Sequence, residues 1–121
     1  MPTKKKQTLT GTIIEAIQDK KGQDITVIDL GKIEGTIAKS FIIAQGNSPT
    51  QTEAIAESIS DKVREELNEK PINAIGLGTN QWIAIDYADI IVHIFLPETR
   101  QYYDLEGLWQ DAPQENIPNL D

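Results

Sequence analysis

Residues 48–70, "SPTQTEAIAESISDKVREELNEK", restrict the fold more than any other stretch of the chain. Ser48 suits an N-cap, Pro49 suits the first helical position, and Gln51 completes a Ser-x-x-Gln capping box. Ile55, Ile59, Val63 and Leu67 recur every four residues, so a helix gathers them into one apolar stripe. Glu53, Glu57, Asp61, Arg64, Glu65 and Glu69 fall mainly off that stripe, and Pro71 stops the helix. Such a stripe must be buried against something. The flanking chain supplies it: 24–30 ("DITVIDL"), 36–46 ("TIAKSFIIAQG") and 72–77 ("INAIGL") read as strands, with 31–35 ("GKIEG") as a loop. A first helix is expected from Leu9, Ile13, Ala16 and Ile17, with Gly22 as its stop.

Strands four and five come from "NQWIAIDYADIIVHIFL", residues 80–96. A turn centred on Tyr87–Ala88 sets Asp86 opposite Asp89, Ile85 opposite Ile90, Ile83 opposite Val92, and Trp82 opposite His93. Side chains alternate across a sheet, so one face carries Ile83, Ile85, Ile90, Val92 and Ile94 and is expected to be core. The other carries Trp82, Ala84, Asp86, Asp89, Ile91, His93 and Phe95. The fold class expected is α/β, a mixed five-stranded sheet with flanking helices.

The mixed face is where chemistry could reside. Asp86 and Asp89 flank a turn, where aspartate commonly bonds to its own backbone. His93 is the only histidine and the chain has no cysteine, a poor basis for a metal site. Ser48 is used as a cap, and Ser58 and Ser60 lie within the long helix. The chain has no Gly-x-Ser-x-Gly elbow, phosphate loop or Gly-x-Gly-x-x-Gly. The strand ending in Gly46-Asn47-Ser48 before a long helix resembles the start of a nucleotidyltransferase site. Those enzymes hold Mg²⁺ on closely spaced carboxylates, and no Asp-x-Asp occurs here. A divergent nucleotidyltransferase or nucleotide-binding protein is the alternative from the enzyme class. No cofactor is expected.

With 121 residues one domain is expected, and the apolar runs are too short to span a membrane. The N-terminus has no apolar run of the signal-peptide kind, which points to the cytoplasm. A net charge of −8 disfavours phosphate backbones and favours a basic partner, so little direct nucleic-acid contact is expected. Residues 1–8, with Lys4–Lys6, read as a basic tail and residues 9–110 as the domain. Tyr102, Tyr103, Leu105, Leu108 and Trp109 suggest a short helical piece packing back on the sheet. Residues 111–121, "DAPQENIPNLD", read as a disordered acidic tail.

Taken together, these motifs resemble the RsfS/Iojap family of ribosomal silencing factors. The resemblance covers about residues 9–113 and rests on "GNS" at 46–48 with its helix, "WIAIDYADIIVHIF" at 82–95, "RQYYDLEGLW" at 100–109 and "DA" at 111–112. Three positions depart from the family pattern: Ala88 replaces a turn glycine, Lys39 stands where aspartate is common, and Ile75 replaces the glutamate before Gly76. The resemblance implies a nucleotidyltransferase-like fold without the enzyme's site, and a binding protein, not an enzyme. It implies a partner, the fourteenth protein of the large ribosomal subunit at its intersubunit face, and steric obstruction of subunit joining that represses translation. Organellar relatives imply a further alternative, large-subunit assembly, and crystallised relatives imply a homodimer. Tryptophan is a typical interface anchor, so Trp82, with Asp86 and Asp89 to meet arginine or lysine, reads as a contact patch; the contact residues expected are Asn47, Ser48, Trp82, Asp86, Tyr87, Asp89 and His93.

Overall fold

A computed structural model describes residues 8–31 and 38–120. The Lys4–Lys6 run, most of the 31–35 loop and the first two residues of the expected 36–46 strand lie outside the described residues. The elements in chain order are α1 (Leu9–Asp19), β1 (Gln23–Asp29), β2 (Ser40–Gln45), α2 (Pro49–Leu67), β3 (Asn73–Ile75), β4 (Trp82–Asp86), β5 (Ile90–Phe95), α3 (Pro97–Tyr103), α4 (Leu105–Leu108) and β6 (Gln114–Ile117). The sheet runs β3-β4-β5-β2-β1-β6. Among the described residues only β2 and β5 are parallel; the remaining pairs are antiparallel.

The expected α/β architecture is present, with six strands among the described residues instead of five. The sixth overturns the reading of 111–121 as a disordered tail and of 110 as the domain's end. Residues 114–117 pair with β1 from Ile25↔Ile117 to Ile28↔Gln114. Composition misses this strand because "QENI" is polar on its surface. What holds it is the open backbone edge of β1, together with Arg100 at the same corner. The Arg100 guanidinium donates to Glu106 Oε2 at 2.6 and 2.9 Å, to the Asp24 carbonyl at 2.6 Å and to Thr26 Oγ1 at 3.2 Å. Thr26 Oγ1 in turn donates to Asn116 Oδ1 of β6 at 3.0 Å.

Helix α2 starts as its sequence requires. Ser48 Oγ accepts from the Gln51 N–H at 3.1 Å, while Gln51 Oε1 accepts from the Asn47 N–H at 2.7 Å. The helix ends at Leu67, before Pro71, because Asn68 takes a left-handed cap at φ +55°. Its stripe of Ile55, Ile59 and Val63 is fully buried, and Leu67 packs beside it. Together with Ile13, Ala16 and Ile17 of α1, the stripe covers one sheet face made of Ile25, Ile42, Ala44, Ile83, Ile85, Val92 and Ile94. All five hairpin residues expected in the core are there.

The hairpin register differs from the expected one. Asp86 pairs with Ile91 and Trp82 with Phe95, so the turn has moved one residue along, to Ala88–Asp89. Faces are preserved, because moving the centre by a whole residue leaves the alternation unchanged. The cause is local. Asp86 Oδ1 accepts from the Ala88 N–H at 2.7 Å, the Tyr87 carbonyl accepts from the Asp89 N–H at 2.9 Å, and Ala88 sits at φ +74°. That conformation is costly for a residue with a Cβ.

Candidate interaction face

The opposite face of the sheet is built differently. Ile28, Leu30, Ile43, Phe95 and Ala112 form a second buried cluster, with Phe41, Trp82, Leu105 and Trp109 half-buried around it. The α3–α4 segment crosses this face and leaves part of it open. Trp82 stacks on Phe95 with ring centroids 5.0 Å apart and meets Tyr103 at 4.6 Å. Phe41 stands edge-on to His93 at 4.7 Å and to Trp109 at 6.0 Å. Tyr102, Tyr103 and Leu108 are exposed at its margin, at 81%, 48% and 71%.

Trp82 is placed by the loop before it. Gly76 sits at φ +91°, and a Cβ there would collide with the Trp82 carbonyl. Buried Asn80 ties this loop to α2: its carbonyl accepts from Thr52 Oγ1 at 2.7 Å and its Oδ1 from the Gly78 N–H at 3.0 Å. The indole N–H then donates to His93 Nδ1 at 3.0 Å. A ring that accepts at Nδ1 is neutral with its proton on Nε2. Nε2 is buried with no hydrogen-bond partner among the described residues, and desolvation lowers the pKa of His93 from 6.5 to about 4. His93 therefore orients Trp82 and carries no charge near neutral pH.

The structure separates the seven residues expected to make contacts. Trp82 is half-buried on the aromatic face, at the same end of the sheet as Asn47 and Ser48, which serve the start of α2. Asp86 and Asp89 lie at the other end of the hairpin, four residues from Trp82 along the strand, about 13 Å. Asp86 is occupied by its turn bond, as the backbone reading of that residue expects. The Asp89 carbonyl accepts from the Lys39 and Ser40 N–H groups at 2.8 and 3.1 Å, leaving its side chain exposed. Tyr87 is buried in the helix-side core, where burial raises its hydroxyl pKa, and His93 is buried beneath Trp82. Neither side chain reaches the surface. Phe41, Tyr103, Leu108 and Trp109 are the surface residues of this face that the hairpin alone did not reveal, whereas Ile91 was placed on it by alternation. The crowding of apolar residues at 102–109 was the signal for three of them. No group of three or more histidine or acidic side chains is placed to hold a metal among the described residues. Nor is any helix there long and apolar enough to cross a membrane.

Residues 3–121 match the model of a family described as "Ribosomal silencing factor during starvation". A protein named ribosomal silencing factor RsfS from Bacillus subtilis is 38% identical over 103 residues, 84% of this chain and 85% of that one. A crystal structure of a Chromobacterium violaceum protein superposes with a TM-score of 0.81 at 34% identity, covering 88% of each chain. A mouse protein named mitochondrial assembly of ribosomal large subunit protein 1 is 26% identical over 100 residues, 80% of this chain and 43% of that one. The family match spans the hairpin, α2 and the aromatic segment together, and the chain belongs to the ribosomal silencing factor family.

Proposed function

We propose that this protein is a ribosome-associated silencing factor that binds the large subunit through its fourteenth protein and obstructs subunit joining. It acts by occupying space, in the cytoplasm, with no catalytic step and no cofactor. The observation that carries this reading is the half-open aromatic face. An apolar floor of Phe41, Ile91 and Trp82 lies between exposed Tyr103 and Leu108 on one side and Asp86 and Asp89 on the other. Aromatic anchors in a partly desolvated patch supply most of the energy of such interfaces. Acidic groups at the rim steer a basic partner, as ribosomal proteins are. The names of the relatives support both the ribosome and its large subunit as the target. Self-association is a secondary property we assign to the same face.

The test is cosedimentation with separated subunits. The protein should pellet with large subunits and reduce joining when small subunits are added. Tyr103→Ala should weaken that binding by about 2 kcal/mol with an unchanged melting temperature, because the ring is half exposed. Association with small subunits alone, or joining unaffected at saturation, would falsify the proposal.

A further inference from the structure

Strand β3 is an end strand of the sheet with no strand beyond it among the described residues, and the ground beside it is shaped and charged for a particular guest. It has three residues and pairs with β4 alone among the described residues; its Ala74 N–H donates to Asn73 Oδ1 at 2.9 Å, a local bond that a guest strand's carbonyl would replace. Its apolar surroundings are in water: Ile72, Ile75 and Leu77 are 69%, 58% and 55% exposed. Ala74 shares the helix-side face with its partner Ile85, while Ile75 lies on the aromatic side beside Ala84. Because Ala74 is small, a cleft of about 130 Å³ opens between the strand and α2. Ile83 and Ile85 floor it, Ala74 and Leu77 form one wall, and Glu57 and Asp61 form the rim.

The charge beside that cleft is one-sided. Glu53, Glu57, Asp61 and Glu65 recur every fourth residue along α2 and are all exposed. The only cation bonded to this row is Arg64, at 3.3 Å from Asp61, among the described residues. On the other flank of α2, Lys62 gathers Glu15, Asp19 and Glu66 at 3.2–3.3 Å, and those three carboxylates hold its ammonium charged. Toward α1 one lysine sits at the centre of three carboxylates; toward β3 four carboxylates share one arginine that reaches a single member of the row, so the β3 flank is the more acidic.

We infer that β3 receives an extended cationic segment of a partner protein, which adds to the sheet as a seventh strand. Lysines would alternate with apolar residues, because strand side chains alternate between faces. Each lysine stem would cover the cleft over Ala74, Leu77 and Ile83, with its ammonium among Glu57 and Asp61. The intervening apolar side chains would lie against Ile75. A second copy of this chain is a poor guest, since strand pairing would bring two acidic rows together.

The probe is a capped ten-residue peptide of alternating lysine and valine, labelled for fluorescence anisotropy. It should bind the full chain, weaken as salt rises, and shift amide resonances at 72–77 and along α2. Affinity should fall at least tenfold in the Glu57→Lys/Asp61→Lys double variant and in Leu77→Lys. Both sets of positions are exposed, so folding is spared. The same peptide N-methylated at alternate residues keeps its charge but cannot complete a ladder, and it should bind at least tenfold more weakly. Equal binding by the methylated peptide, equal binding by the variants, or no binding at all overturns the inference. So does a homodimer that dissociates on Leu77→Lys, which would make the guest a second copy. Tyr103→Ala should leave peptide binding unchanged, so this result is independent of the ribosome test.

Discussion

On the helix side of the sheet, Ile42, Ile59, Ile83, Val92 and Ile94 are sealed completely; on the other side, Phe41, Trp82 and Trp109 are left half in water. The difference follows residue chemistry. Branched aliphatic side chains fill a closed layer and have nothing to offer solvent or a polar partner. Aromatic rings bring a large area and, in tryptophan and tyrosine, a polar group that stays satisfied when the ring is only partly covered. The first face is therefore built for stability, and the second has the composition that the proposed recognition role requires.

The largest expected effect tests the first half of that contrast. Ile59→Ala empties a fully buried position between α2 and the sheet and should cost about 3 kcal/mol in denaturant unfolding. Its folded fraction should still bind large subunits with native affinity. Weakened binding per folded molecule would mean that the faces are coupled, and the contrast would fail. A middle-sized effect sharpens the second half. His93 has a folded pKa of about 4 against 6.5 unfolded, so the unfolded state binds the extra proton between those values. Stability is then fully present above pH 6.5 and is lost as the pH falls toward 4. The loss should be about 2 kcal/mol between pH 7 and 5. Urea melts of the protein and of His93→Gln at both pH values would show it; identical slopes would deny His93 its role beneath Trp82. The smallest effect concerns the turn that joins the two strands and belongs to neither face. Ala88→Gly relieves a positive φ and should stabilise by about 1 kcal/mol without altering ribosome binding. A loss of stability would show that the alanine is unstrained.

Much of this was legible beforehand, and the reasons are local. The Ser48–Gln51 box and the Ile55–Val63 stripe describe α2 because caps and periodicity act over a few residues. The hairpin faces could be assigned from alternation alone, even though Asp86 and Ala88 moved its turn. What escaped were features decided at a distance. Strand β6 depends on the edge of β1 and on Arg100, whose bonds reach back to Asp24 and Thr26. Trp82 and the aspartates looked like one patch in the sequence and stand at opposite ends of the hairpin. The aromatic face needed Phe41 and Trp109, which pattern reading cannot bring to one place.

The parallel junction of β2 and β5 has a consequence for biosynthesis. It joins residues fifty positions apart, from Ser40↔Ile90 to Gln45↔Phe95, at the middle of the sheet. A nascent chain that has emerged only through α2 holds two strands with the future centre of the sheet uncovered. Nothing in it can close that gap until β5 arrives. Late closure of a distant pairing slows folding and leaves apolar strand edges bare meanwhile. Ribosome stalling between residues 70 and 90 would strand the chain at its most adhesive stage.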